Sequence, residues 1–98
     1  MNTETKTNEL VVAIPLLLKG AVDGAREVTV NGDTLQSAID DLLSRYPLLR
    51  PHLYENERQL RKHVLMLYNN QNTRWFSSLE IATKPGDRIT ILQAVSGG

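Results

Sequence analysis

The sequence contains no cysteine, which excludes disulfides, iron–sulfur clusters, thiolate zinc sites and a cysteine nucleophile. Histidine is nearly as scarce, with His52 and His63 the only two. A metal site would therefore have to be assembled from scattered carboxylates. Asp40 and Asp41 are adjacent on a predicted helix and point in directions about 100° apart, which argues against a catalytic carboxylate pair. We expect no metal and no cofactor.

An excess of charge of one sign and a long hydrophobic run are also missing. Eleven Lys and Arg balance eleven Asp and Glu, so the chain has no long-range attraction for nucleic acid or an acidic membrane. The longest apolar run, residues 10–18, is interrupted by Pro15 and falls well short of the ~20 residues that a membrane-spanning helix needs. The polar residues before it do not resemble a signal peptide. We predict a cytoplasmic protein that binds neither nucleic acid nor membrane.

Two segments near the amino terminus have the composition of β-strands. Residues 10–18 are rich in Val, Ile and Leu, and Pro15 among them predicts a sheet edge or a bulge. Residues 26–30 alternate between polar and apolar side chains, as a half-buried strand does. Two glycines in the intervening KGAVDGA segment indicate a turn, so the two strands are predicted to form a hairpin.

An amphipathic helix is predicted between Thr34 and Pro47. The Thr34 side chain can cap the first turn, and Pro47 ends the helix because the residue before a proline avoids helical geometry. The apolar side chains recur at the spacing of one helix face: Leu35, Ala38, Ile39, Leu42, Leu43 and Tyr46. Asn31-Gly32, a frequent hairpin signal, is therefore followed by a helix rather than by a strand.

The rest of the chain predicts a surface excursion and three strands. Residues 47–63 contain two prolines and predict an excursion with a helical turn. The strands are expected at 64–68, as a buried central strand, at 73–76 and at 88–95. With a single main helix, this order predicts an α+β, ubiquitin-like β-grasp with a mixed sheet of four to five strands. The predicted boundaries are a flexible leader at 1–9, the domain at 10–95 and an exposed tail at 96–98.

Three segments resemble the MoaD/ThiS family of ubiquitin-like sulfur carriers. KPGDRITILQAVSGG at 84–98 has the family's Gly-Asp turn, short apolar strand and Gly-Gly terminus, which is the specific part of the match. NGDTLQSAIDDLLSRYP at 31–47 resembles the family's helix cap and helix, and HVLMLYNNQNTR at 63–74 its central strand and Asn-rich turn. The length of the 47–63 excursion resembles the longer carriers that feed cysteine assembly.

The resemblance implies a protein co-substrate rather than an enzyme. In this family a ubiquitin-activating-like adenylyltransferase uses ATP to join AMP to the terminal carboxylate, here that of Gly98. A sulfurtransferase or other sulfur donor then converts the acyl-adenylate to a thiocarboxylate, which a downstream synthase accepts for cysteine, thiamine, molybdopterin or a secondary metabolite. Gly97 and Gly98 lack a Cβ, so they can pass through a narrow channel to present the carboxylate.

A partner-binding face is predicted beside this tail. On the last strand Ile89 and Ile91 face one way and Leu92 the other, so Leu92 would be exposed on a two-layer domain. The resemblance implies that this face docks on the activating enzyme, and that Val95 and Ser96, which lead to the terminus, also bind the partner. Trp75 and Phe76 either belong to the docking face or cap the core near the excursion.

Several alternatives stay open at this level. The chain is a small subunit of a molybdopterin-synthase-type enzyme in one alternative, and a modifier conjugated to lysines through Gly98 in another. The sequence does not rank the sulfur acceptors or indicate whether residues beyond Gly98 are trimmed. A basic neighbourhood is read either as a contact for an acidic partner groove or as an ordinary solvated surface, and it consists of Arg45, Arg50, Arg58, Arg61, Lys62 and His63.

Overall fold

Five strands form one mixed sheet in the computed structural model, which describes residues 7–57 and 59–93. The strands are β1 (Asn8–Ala13), β2 (Glu27–Gly32), β3 (Val64–Tyr68), β4 (Gln71–Asn72) and β5 (Arg88–Gln93). Their order across the sheet is β2-β1-β5-β3-β4, in which β1 and β5 are parallel and the other neighbours antiparallel. The predicted α+β β-grasp with four to five strands is confirmed. The predicted strand at 64–68 is present as β3, an interior strand paired with β5 and β4, and β5 is the middle strand of the five.

The amino-terminal hairpin is present, but its first strand differs from the prediction. β1 begins at Asn8 and ends at Ala13, and the residues after Pro15 form a 3-10 helix, Leu16–Val22, instead of extending the strand to residue 18. β1 lies between β2 and β5, so Pro15 marks neither an edge nor a bulge. The apolar run does not continue as a strand, because the 3-10 helix places the Leu18 and Val22 side chains in the core. Composition alone does not distinguish a strand from a 3-10 helix, because both can bury leucine side chains.

The predicted helix is confirmed as α1 (Leu35–Arg45). The Thr34 hydroxyl accepts a hydrogen bond from the Ser37 backbone N–H at 3.1 Å, and the Ser37 hydroxyl accepts one from the Thr34 N–H at 3.0 Å. This reciprocal cap satisfies N–H groups that the first turn leaves without partners. The apolar face of α1 packs on the sheet and is buried at Leu35, Ala38, Ile39, Leu42 and Leu43.

The excursion between α1 and β3 is partly helical and packs against the core. It contains a 3-10 helix at Pro47–Leu49 and a single turn, α2 (Arg50–Leu53), so the predicted helical turn is confirmed. Leu49 and Leu53 are completely buried, which anchors the excursion to the domain. No helix in the described part of the chain has the length and apolar character needed to cross a membrane.

Residues 73–76 were predicted as a strand, and this prediction is wrong. Thr73–Trp75 form a 3-10 helix that follows the two-residue strand β4. The Asn72 side chain accepts a hydrogen bond from the Arg74 backbone N–H at 2.9 Å, and the Thr73 hydroxyl donates one to the Met66 carbonyl at 3.0 Å. These side-chain bonds turn the chain away from β3 before a longer strand can form.

A buried carboxylate ties the ends of β3 and β5 together. The Asp87 carboxylate accepts hydrogen bonds from the Tyr68 hydroxyl, from the Asn69 side-chain amide at 3.0 Å and from the Lys84 backbone N–H at 2.8 Å. Burial by itself would raise the pKa of Asp87, but these hydrogen bonds outweigh it and lower that pKa. Burial and the nearby carboxylate raise the pKa of Tyr68 to about 12. Gly86, with φ of 87°, supplies the turn before Asp87.

Replacing Tyr68 by phenylalanine is expected to lower the free energy of unfolding by about 2 kcal/mol at neutral pH, because it removes a hydrogen bond to a charged group. The Asp87 pKa is lower in the folded state than its usual 3.8, so its stabilisation is lost as pH falls through and below that value. The Tyr68 pKa is higher than its usual 10.0, so that stabilisation is lost as pH rises from 10 toward 12.

The difference in stability between wild type and Tyr68→Phe should therefore shrink at both extremes, measured by urea denaturation across the pH range. Tyr46→Phe is the matched control, because Tyr46 packs against the core and its hydroxyl bonds to none of the described residues. A difference that stays constant from neutral pH to pH 12 would contradict the assigned hydrogen bond.

Candidate functional site

The chain leaves the sheet beside the first residue of β3. Gln93, the last residue of β5, lies opposite Val64 in the antiparallel pair. The residues predicted to react and to follow the strand, Val95, Ser96, Gly97 and Gly98, lie outside the described residues. The geometry therefore gives the point from which the tail departs, and the roles of these four residues stay predictions.

Leu92 faces away from the helix, as predicted. Ile89 and Ile91 are buried beneath α1, whereas Leu92 is 44% exposed on the opposite face. Leu65 lies directly across from Leu92 in the β3–β5 pair. The helix-free side of the sheet, called the open sheet face below, carries further apolar side chains on neighbouring strands, namely Val11, Ala13 and Leu67. A partly exposed apolar surface of this kind on a small domain, here with Leu92 exposed and its neighbours half-buried, is typical of a partner-binding site.

Trp75 and Phe76, for which the sequence left two interpretations, lie in different environments. Trp75 is 84% exposed, so it stays available to a partner. Phe76 is half-buried, packs against the core and meets the Tyr68 ring edge to face at 6.5 Å between centroids. The capping interpretation therefore describes Phe76, and only Trp75 keeps the features expected of a docking residue.

The other candidate residues do not assemble a reactive centre. Among residues 7–57 and 59–93, no group of three His, Asp or Glu side chains is placed to hold a metal ion. Asp41 accepts a hydrogen bond from the Asn31 N–H at 2.8 Å and pairs with Arg45, whereas Asp40 accepts one from the Gln36 amide. The two carboxylates have different partners, which fits the interpretation that they are not a catalytic pair.

The basic neighbourhood predicted from the sequence divides between several surfaces. Arg45 is paired with Asp41, the Arg50 guanidinium lies over the Tyr54 ring, and the Arg61 side chain donates to the Pro51 carbonyl at 2.8 Å. Arg58 lies outside the described residues. Lys62 and His63 instead line a shallow groove of about 400 Å³ with Leu65, Arg74, Leu92 and Gln93.

Sequence reasoning missed two contributors to this surface, Leu65 and Arg74. Residues 64–68 were read as a buried strand, so the alternation that places Leu65 on the open sheet face was not used. Pairing that alternation with the outward Leu92 would have found Leu65. Arg74 carries no comparable signal, because it reaches the groove through the 3-10 helix that replaces the predicted strand.

The model of the ThiS family matches residues 19–98. The chain belongs to the ThiS family. The sulfur carrier protein CysO of Mycobacterium tuberculosis (strain H37Rv) is 33% identical over 91 residues, which cover 91% of this chain and 98% of that protein.

Solved structures give the same assignment. A chain of the Amycolatopsis orientalis BexX/CysO complex superposes with a TM-score of 0.77 at 34% identity, covering 91% of this chain and 99% of that one. Small archaeal modifier protein 1 of Methanosarcina acetivorans superposes with a TM-score of 0.76 at 28% identity, covering 96% and 100%. The resemblance to the ThiS/MoaD-type carriers is thus confirmed. The predicted function is confirmed at the same level: the ThiS-family chain is a sulfur carrier, a ubiquitin-like co-substrate rather than a catalyst.

Proposed function

We propose that this sulfur carrier holds its sulfur as a thiocarboxylate on Gly98. The Gly98 carboxylate attacks the α-phosphorus of ATP, pyrophosphate leaves, and an acyl-adenylate forms. Hydrosulfide supplied by the donor then attacks the acyl carbon, AMP leaves, and the thiocarboxylate remains with no change in oxidation state. The observation that supports this proposal is the family match over residues 19–98, which includes the Gly-Gly terminus.

The sequence of the tail and the strand before it suit this co-substrate role. Two successive glycines have no side chains to obstruct a channel and adopt backbone angles closed to other residues. The preceding strand β5 is held by neighbours on both sides, so the tail leaves from a rigid base. The chemistry is supplied by partners: an adenylyltransferase with ATP, a sulfurtransferase or other sulfur donor, and a downstream synthase in the cytoplasm. We propose a synthase of the cysteine-assembly type, because the similarity to the sulfur carrier protein CysO extends over 98% of that protein.

The direct test is intact-mass spectrometry of the protein after incubation with the adenylyltransferase of the same organism, ATP and a sulfur donor. The expected product differs from the substrate by exchange of one oxygen for sulfur. Omission of ATP should prevent the exchange, since the carboxylate must first be activated. No exchange in the presence of an enzyme that adenylates another carrier would contradict the proposal.

Leu92→Asp is expected to weaken binding to the adenylyltransferase by ~2 kcal/mol or more, because it places a charge at the centre of an apolar docking face. Because the Leu92 side chain is exposed, we expect the variant to fold. Isothermal titration calorimetry and thermal melting measure the two effects. Thr29→Asp, exposed on β2 at the far edge of the same face, is the matched control. Unfolding of Leu92→Asp, or unchanged binding, would contradict this placement.

A second function, conjugation to lysines through Gly98, is favoured by one observation. The similarity to small archaeal modifier protein 1 covers the whole of that chain at 28% identity. Conjugation predicts a ladder of heavier adducts in cells that disappears when Gly98 is deleted. The remaining alternative, a small subunit of a molybdopterin-synthase-type enzyme, predicts instead one partner that co-purifies in constant ratio.

A further inference from the structure

We propose that the groove beside the departure point of the tail binds a carboxylate-bearing segment of the activating adenylyltransferase. This inference rests on the proposed function and adds the chemistry of the partner surface to it. The groove is lined by Lys62, His63, Leu65, Arg74, Leu92 and Gln93. It therefore joins the end of β5 to the apolar centre of the open sheet face, where a partner holding the tail must pass.

The charge of the groove is of one sign. Two basic side chains, Lys62 and Arg74, and one histidine line it, and no Asp or Glu does so among the described residues. The ion pairs within residues 7–57 and 59–93 are Asp41–Arg45 and Glu27–Arg88, neither of which contributes to this surface. On a chain whose net charge is zero, this is a local positive patch that complements carboxylates.

Arg74 is held in place before any partner arrives. Its Nη2 donates to the Arg61 carbonyl at 2.6 Å and to the Val64 carbonyl at 2.8 Å. A guanidinium has five N–H donors, so three remain after these two bonds. A fixed guanidinium loses little side-chain freedom on pairing, and its planar fork matches the two oxygens of a carboxylate. Arg74 thus has the geometry of a carboxylate receptor.

The apolar floor of the groove explains why the occupant should be a protein segment. Leu65 and Leu92 lie opposite each other beneath the cations, and Trp75, exposed, follows Arg74 in the chain. A segment with one apolar side chain flanked by Asp or Glu would do both: its apolar side chain would cover the leucines, and its carboxylates would pair with Lys62 and Arg74. Interfaces with a buried apolar centre and a charged rim have this arrangement.

Charge reversal at Lys62 tests the proposal. Lys62→Glu is expected to slow association with the adenylyltransferase about tenfold at ~50 mM NaCl and to have little effect at ~500 mM, because salt screens steering by exposed charges. Lys19→Glu makes the same change in net charge at an exposed position of the 3-10 helix Leu16–Val22 and should alter the rate less than about twofold. Lys62→Ala, which removes one charge, is a second variant in case the reversal disturbs folding.

Zero-length cross-linking identifies the occupant. A carbodiimide joins a carboxylate to the Lys62 amine with loss of water, and peptide mass spectrometry of the complex should recover Lys62 bound to an Asp or Glu of the adenylyltransferase. A link from Lys62 to the Gly98 carboxylate of the same chain would mean that the tail itself occupies the groove and would overturn the proposal. Equal behaviour of Lys62→Glu and Lys19→Glu would do the same.

Different results would contradict the proposed function and the assignment of the groove. If wild type forms no thiocarboxylate with an active adenylyltransferase, the proposed function is wrong. If wild type forms it and Lys62→Glu associates as fast as wild type at low salt, only the assignment of the groove is wrong.

Discussion

Gly97→Val is expected to abolish thiocarboxylate formation while leaving the melting temperature essentially unchanged. A β-branched side chain widens the tail and removes the backbone angles that only glycine adopts readily, so the carboxylate of Gly98 no longer reaches the adenylating site. A terminal residue of this kind contributes almost nothing to apolar burial, which is why stability should not change. Intact-mass spectrometry after incubation with adenylyltransferase, ATP and sulfur donor measures the product.

Gly20→Val is the matched control for this variant. Gly20 lies in the 3-10 helix Leu16–Val22, and a Cβ built on it meets no atom within 4 Å. The same chemical change far from the tail should leave the yield of thiocarboxylate at the wild-type level. Undiminished product from Gly97→Val would contradict the channel argument, and equal loss in both variants would mean that valine acts through the fold rather than through the tail.

Elements with a long hydrophobic periodicity were predictable from the sequence. Eleven residues of α1 repeat an apolar face three times, and β5 alternates over six residues, so both elements and the outward direction of Leu92 were predictable. The two-residue strand β4 and the 3-10 helix at Thr73–Trp75 were not predictable, because they depend on two side-chain hydrogen bonds, from the Thr73 hydroxyl to the Met66 carbonyl and from the Arg74 N–H to the Asn72 side chain. Arg74 was missed for the same reason.

The Leu16–Val22 segment shows the other limit of sequence reasoning. Its leucines have the composition of a strand, and only contact with the excursion after α1 makes a 3-10 helix the better way to bury Leu18 and Val22. Tertiary packing of this kind overrides β-propensity, which reflects fit to a half-buried surface more than a backbone preference. The outward direction of Leu92 was predictable because side-chain alternation is a local feature of the last strand, whereas the roles of the tail residues stay predictions.

Gly32 has a structural role that its place in an Asn-Gly pair conceals. It ends β2 beneath the first turn of α1, and the Thr83 hydroxyl donates to its carbonyl at 2.7 Å. A Cβ at this position would lie 2.4 Å from the backbone nitrogen and 2.7 Å from the Cα of Ala38, and 2.7 Å from the Ser37 Oγ. Only a residue without a side chain permits this approach of strand and helix.

Gly32→Ala is therefore expected to destabilise the fold by ~3 kcal/mol or more, because the backbone of α1 cannot yield without disturbing its packing and its cap. For a domain of this size that corresponds to a fall in melting temperature on the order of 12 °C or more, measured by circular dichroism. Gly20→Ala, whose added Cβ meets open space, should change it by no more than a few degrees. Below its melting temperature Gly32→Ala should still form the thiocarboxylate, opposite to Gly97→Val. A melting temperature near wild type would mean that helix and strand separate without cost.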